Sequence, residues 1–169
     1  MVLSAYLYAA MIVWSPVSIH DFTKVPRVET EERYQAIARD LAEVVMEEDQ
    51  TPLFAGDTGR AKTALLALAF ANYESGGFRA DVDKAGPSGD GGAAWCLMQV
   101  HAPYTSEVKD RKGCFRAGLH AFRDSWSMCK TGSVADRLTG YTVGRCVTDE
   151  RESRRRTNHA FKWWAAHPM

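Results

Sequence analysis

Glu74 is the residue whose type and position invite chemistry. It closes the most apolar run of the chain, Ala64-Leu65-Leu66-Ala67-Leu68-Ala69-Phe70-Ala71, and follows Phe70 by four residues and Ala67 by seven. On a helix that spacing makes it project from a buried face. Burial disfavours the charged carboxylate, and so does the negative end of the helix macrodipole, so both push its pKa upward. Ser75-Gly76-Gly77 then stops the helix and lets another stretch of chain come close. A carboxylic acid kept protonated beside a cleft is what a general acid requires, and glycoside cleavage uses one to protonate the leaving oxygen. A second carboxylate, Asp90, follows in a glycine-rich stretch that also holds Asp81 and Asp83. Those two are expected to be turn-forming surface acids, whereas Asp90 is a candidate for the site.

The surrounding motifs bear a resemblance. Ala71-Asn72-Tyr73-Glu74-Ser75-Gly76-Gly77-Phe78 resembles the ESGF motif around the catalytic glutamate of lytic transglycosylases of the soluble type. Cys96-Leu97-Met98-Gln99-Val100 resembles their GLMQ motif, with Cys96 where the family usually has Gly. Gly140-Tyr141-Thr142-Val143-Gly144 is a degenerate echo of their AYNAG segment, keeping Tyr141. The stretch from Gly89 to His101 is also similar to the GD-x-G-x-G-x-GLMQVD segment of goose-type lysozymes. Asp90 lies seven residues before Leu97, as that family's aspartate does, and His101 replaces its second aspartate. The loop between Glu74 and Asp90 is longer than in goose-type enzymes. The match spans the chain from about Leu65 to Cys146.

The resemblance implies a lysozyme-like fold and cleavage of the peptidoglycan MurNAc–GlcNAc β-1,4 bond. In that reading Glu74 is acid and base, and Asp90 positions water if the reaction is hydrolytic. Gln99 lines the cleft, Met98 packs under it, and Ser75, Tyr141 and His101 stand beside the substrate. Counting carboxylates separates the routes. An inverting hydrolase needs a base for water and a retaining one needs a nucleophile. A lytic transglycosylase needs neither, because the MurNAc 6-hydroxyl attacks intramolecularly and forms a 1,6-anhydro ring. A lone Glu74 favours that route, and Asp90 keeps hydrolysis open. The departures at Cys96, Thr142 and His101 keep a third reading open: a non-catalytic glycan-binding or structural protein on the same fold.

These residues must be held by helices. Tyr34, Ile37, Ala38, Leu41, Val44 and Val45 fall on one stripe of a helix over Glu29 to Glu48, whose other face is acidic. Thr58 to Tyr73 is the next helix, and its run Ala64 to Ala71, apolar on every side, should make it the central buried helix. Seven glycines and prolines crowd between Gly76 and Gly92, which predicts loops and turns with a small hairpin around residues 76–100. Helical spacing returns over Gly113 to Cys129, with short helices over Val134 to Tyr141 and Asn158 to Ala166. The fold class is therefore mainly α, of the α+β lysozyme-like kind. Residues 1–28 form an apolar segment and linker, and residues 29–169 the catalytic domain.

A chain of 169 residues with 46% apolar and 25% charged residues is an ordinary globular protein, neither disordered nor multi-span. Twenty-one basic residues balance 21 acidic ones, which argues against a dedicated nucleic-acid binder. The charges are sorted, with eight acids and two bases from Glu29 to Gln50, and six bases and two acids from Lys109 to Lys130. Solvated helix faces are the plain reading, and a basic half facing an anionic polymer the sharper one. The histidines His20, His101, His120, His159 and His167 are scattered, and no metal cluster, phosphate loop or dinucleotide fingerprint occurs, so no cofactor is implied.

Four cysteines, Cys96, Cys114, Cys129 and Cys146, fit no zinc spacing and suggest two disulfides and an oxidising compartment. If Gly113 to Cys129 is one helix, its ends lie about 22 Å apart. That excludes Cys114–Cys129 and leaves two connectivities. Met1 to Val17 is almost wholly apolar, lacks a basic start and meets Pro16. It reads as an atypical export signal, a membrane anchor or a helix packed on the domain. The expectation is a monomer that is exported (periplasm, cell envelope or secreted) or phage-associated, with peptidoglycan strands as its partner.

Overall fold

The computed structural model describes residues 2–20 and 26–169; the middle of the expected linker, residues 21–25, lies outside them. The fold is mainly helical, with one small antiparallel hairpin, as the spacing predicts. Among the described residues there are seven α-helices.

Helix α1 (Leu3–Trp14) stops at Ser15, just before Pro16, whose ring cannot continue a helix. It does not stand apart from the domain. Tyr6, Leu7, Ala10 and Met11 are buried in the same core as the later helices. Of the three readings for residues 1–17, the packed helix is the one seen, and the division at residue 28 does not divide the core. No helix of the described residues is long and apolar enough to cross a membrane.

Helix α2 (Arg27–Met46) buries the predicted stripe, and α3 (Gly59–Glu74) is buried on all sides from Ala64 to Ala71. The hairpin pairs β1 (Pro87–Gly89) with β2 (Ala94–Trp95) across a 3-10 turn at Asp90–Gly92. Helix α4 (Arg111–Met128) starts at Asp110, whose carboxylate caps the Gly113 N–H at 2.7 Å.

The sorted charges meet across α2 and α4. Arg111 bonds Asp40, Lys112 bonds Glu43 and Arg116 bonds Glu47, at 2.8, 2.6 and 2.5 Å. These ion pairs join three of the six bases of this run to acids at or near α2, and Lys112 and Glu43 do so on a solvated face. Both disulfides form as Cys96–Cys114 and Cys129–Cys146.

Two boundaries differ from expectation. The single helix over Val134 to Tyr141 is two, α5 (Val134–Arg137) and α6 (Thr139–Val143). They break at Leu138, where the Thr139 hydroxyl donates to the Asp136 carbonyl and accepts the Val147 N–H. Helix α7 (Arg151–Ala166) begins seven residues earlier than Asn158. Its buried stripe opens with Ser153 and Thr157, small polar residues that leave no apolar period to read. Glu150 caps it by accepting the N–H groups of Glu152 and Ser153.

Candidate active site

Glu74 is the last residue of α3, and its side chain is 20% exposed. Three anchors fix the turn that follows. The Ser15 hydroxyl donates to Asn72 Oδ1 at 2.6 Å, tying the end of α1 to α3. Tyr34 of α2 donates to the Gly77 carbonyl at 3.0 Å. A Cβ on Gly77 would lie 2.9 Å from Ile19 Cδ1 and 3.0 Å from Ser15 Oγ, and its φ is +86°, so the position demands glycine.

The Glu74 carboxylate accepts a hydrogen bond from the Arg156 guanidinium of α7. Arg156 is 11% exposed and lies 5.4 Å from the Phe70 ring centroid. Burial raises the Glu74 pKa. Arg156 opposes that by charge and hydrogen bond, Asp90 adds to the rise and His101 opposes it, and the net direction is upward. The carboxyl pKa is thus raised even though a cation holds the side chain.

The Cys96–Val100 stretch follows β2 and closes back on it through the Trp95–Val100 bridge. Cys96 has φ +60° and Gln99 φ +47°, both in the left-handed region. Cys96 stands where the resembled motif has glycine, and the backbone adopts the conformation glycine favours. Met98 is fully buried, and Gly118 of α4 lets it in: a Cβ there would lie 2.6 Å from Met98 Cε. The Tyr141 hydroxyl donates to the Met98 carbonyl, while its ring meets Phe122 edge-on at 4.7 Å. Burial lifts the Tyr141 phenol well above its usual range, with the Glu74 charge adding to the effect. Gln99 donates to Ser88 Oγ at 2.6 Å and to the Cys96 carbonyl at 2.7 Å. A Cβ on Gly89 would lie 2.0 Å from Gln99 Oε1, so glycine is what lets this amide pass the hairpin.

Asp90 and His101 face each other, with Asp90 Oδ2 3.3 Å from His101 Nε2 and both side chains more than half exposed. His101 takes the place of a second acid and pairs with the first. Gln99, His101 and Tyr141 line a cavity of about 460 Å³ that also runs along Tyr104, Asp124 and Thr142. Glu74 is not part of its wall, although its carboxyl senses the charges of Asp90 and His101.

Two expected placements change. Ser75 is 2% exposed and does not face the cavity. Its hydroxyl donates to the Ala71 carbonyl and accepts the Phe78 N–H, so it serves the turn. Asp83 is no surface acid: its side chain is 3% exposed and takes both Nε and Nη2 of Arg111 at 2.8 Å. Asp81 is exposed and pairs with Arg79. Arg156 joins the site without having been a candidate. It is the last of three consecutive arginines, Arg154 to Arg156, and the packing of α7 on α3 brings it to Glu74.

Among the described residues no group of three or more His, Cys, Asp or Glu is placed to hold a metal ion. Comparison with protein families, curated proteins and solved structures finds no match for the chain.

Proposed function

We propose that this protein cleaves the MurNAc–GlcNAc bond of peptidoglycan as a lytic transglycosylase, with Glu74 as its acid and base. The observation that carries the reading is the largely buried Glu74 at the end of α3, held by Arg156 and near enough to Asp90 and His101 to feel their charges, with Gln99, His101 and Tyr141 lining a cavity. Protonated Glu74 gives its proton to the glycosidic oxygen, and the bond to the MurNAc C1 breaks as positive charge grows there. The resulting carboxylate is stabilised by Arg156, which lowers the cost of losing the proton. The MurNAc 6-hydroxyl then bonds to C1 and returns its proton to Glu74. The products are a free GlcNAc 4-hydroxyl and a 1,6-anhydro ring, with no water consumed.

Two other readings each have an observation behind them. Hydrolysis is favoured by Asp90, whose charge reaches Glu74, although Asp90 is engaged by His101. A non-catalytic glycan-binding role is favoured by the ion pair that holds Glu74 in the resting site. The two disulfides support an exported setting.

Mass spectrometry of purified peptidoglycan digested by the full chain separates the three. Anhydro-muropeptides, one water lighter than hydrolysed products, are expected. Reducing-end muropeptides would replace this reading with a lysozyme. No products from a folded protein would move it to a binding protein.

A further inference from the structure

A second cavity lies where α1, the end of α3 and α7 meet, away from the Gln99–Tyr141 cleft. Its volume is about 560 Å³. Trp14, Tyr73 and Trp163 supply aromatic walls, His159 lies between them, and Arg155 and Lys162 bring positive charge. No acidic side chain lines it. The walls are fixed by one another. The Tyr73 hydroxyl meets His159 Nδ1 at 2.9 Å, Trp14 stands edge-on to His159 at 4.4 Å and to Trp163 at 6.0 Å. His167 stacks on Trp163 at 4.0 Å. Arg155 lies over Tyr73 at 4.5 Å and is shared with Glu152 at 2.7 Å outside the cavity. Burial, helped by the Lys162 charge, lowers the His159 pKa, and the imidazole Nδ1 is engaged by the Tyr73 hydroxyl.

We propose that this cavity is a binding site for an anionic saccharide, a sugar ring bearing a carboxylate. Aromatic side chains offer apolar, polarisable walls to the C–H face of a pyranose. The His159 imidazole and the Asn158 amide supply polar partners for hydroxyl and acetamido groups. Lys162, which has no ion pair among the described residues, together with Arg155, whose acid Glu152 lies outside the cavity, selects a negative charge. The volume is that of an ordinary small-ligand pocket. The site is separate from the cleft and does not depend on turnover, and the glycan reading above guides only the choice of probe.

The test is a titration of the full ¹⁵N-labelled chain with free N-acetylmuramic acid, reading the indole signals of its five tryptophans. N-acetylglucosamine, which lacks the carboxylate, is the matched probe. The muramic acid is expected to move the Trp14 and Trp163 signals and to bind at least about fivefold more tightly than N-acetylglucosamine. Lys162→Glu, at an exposed position, is expected to weaken it by at least about fivefold with an unchanged melting temperature. Equal binding of the two sugars would overturn the charge selection. Shifts confined to Trp95 and the cleft would overturn the site. Anionic vesicles that move Trp14 and Trp163 when the sugar does not would make this surface a membrane contact instead. Failure of peptidoglycan digestion would leave this result untouched.

Discussion

The Arg156 guanidinium of α7 bonds the Glu74 carboxylate at the end of α3, so the candidate acid is paired with a cation in the resting site. Burial favours the neutral acid and Arg156 the ionised one, and burial prevails. An acid is active while it holds its proton, so activity falls as pH rises through the Glu74 pKa. Arg156→Gln removes the opposing charge and is expected to move that alkaline limb of the kcat/KM profile to higher pH. An unmoved limb would separate Arg156 from the titration of Glu74.

The same shift acts on stability with a definite sign. A folded-state pKa raised above the unfolded value, about 4.3 for glutamate, gives stability that is present below that value and lost as pH rises through the folded one. Melting temperatures of wild type and Glu74→Gln, compared across pH, should diverge in that window with the wild type losing ground. In activity, Glu74→Gln is expected to cost about 10²–10⁴-fold, the range of a lost general acid. Unchanged digestion by this variant would place the acid elsewhere.

The helices were legible where burial is written in apolar residues. The stripe on α2 and the all-apolar α3 are stated outright by Ile37, Leu41, Leu66 and Phe70. What was not legible lies in polar contacts made across the fold. Ser153 and Thr157 hide the first turns of α7, and with them the approach of Arg156 to Glu74. Asp83 reads as a turn acid because its partner, Arg111, is 28 residues away in sequence. The packing of α1 could not be told from an anchor, since both want the same apolar residues. Glu74 is singled out by its place at the end of the apolar helix and Gln99 and Tyr141 by motifs, whereas Ser75 serves the turn, and a motif does not distinguish a turn hydroxyl from a substrate contact.

Cys96 combines two effects of opposite sign. Its left-handed φ of +60° costs a non-glycine residue roughly 1–2 kcal/mol. Its bridge to Cys114 closes a loop across 18 residues, for which the chain-entropy estimate is about 3 kcal/mol. The pair Cys96→Ser with Cys114→Ser is expected to lower stability by about 3 kcal/mol. Cys96→Gly with Cys114→Ser should recover about 1 kcal/mol of that by relieving the backbone. Urea denaturation of the two variants reads the difference, and equal midpoints would refute the strain.

The apolar N-terminal segment is the sharpest place to separate targeting from structure. Tyr6, Leu7, Ala10 and Met11 are all within 1% of full burial. Leu7→Ala should cost about 2–5 kcal/mol, as deletion of a core leucine does. Ser15→Ala is the informative companion, because it removes the buried hydroxyl that donates to Asn72, two residues before Glu74. Leaving the Asn72 oxygen without its donor should cost about 1–3 kcal/mol. It should also loosen the turn at Gly77, and so reduce activity at temperatures where the protein is still folded. Thermal melts and digestion rates of both variants, made on the full chain, test this. A Leu7→Ala variant with wild-type stability would mean that α1 is not part of the working core and would return residues 1–17 to a targeting role.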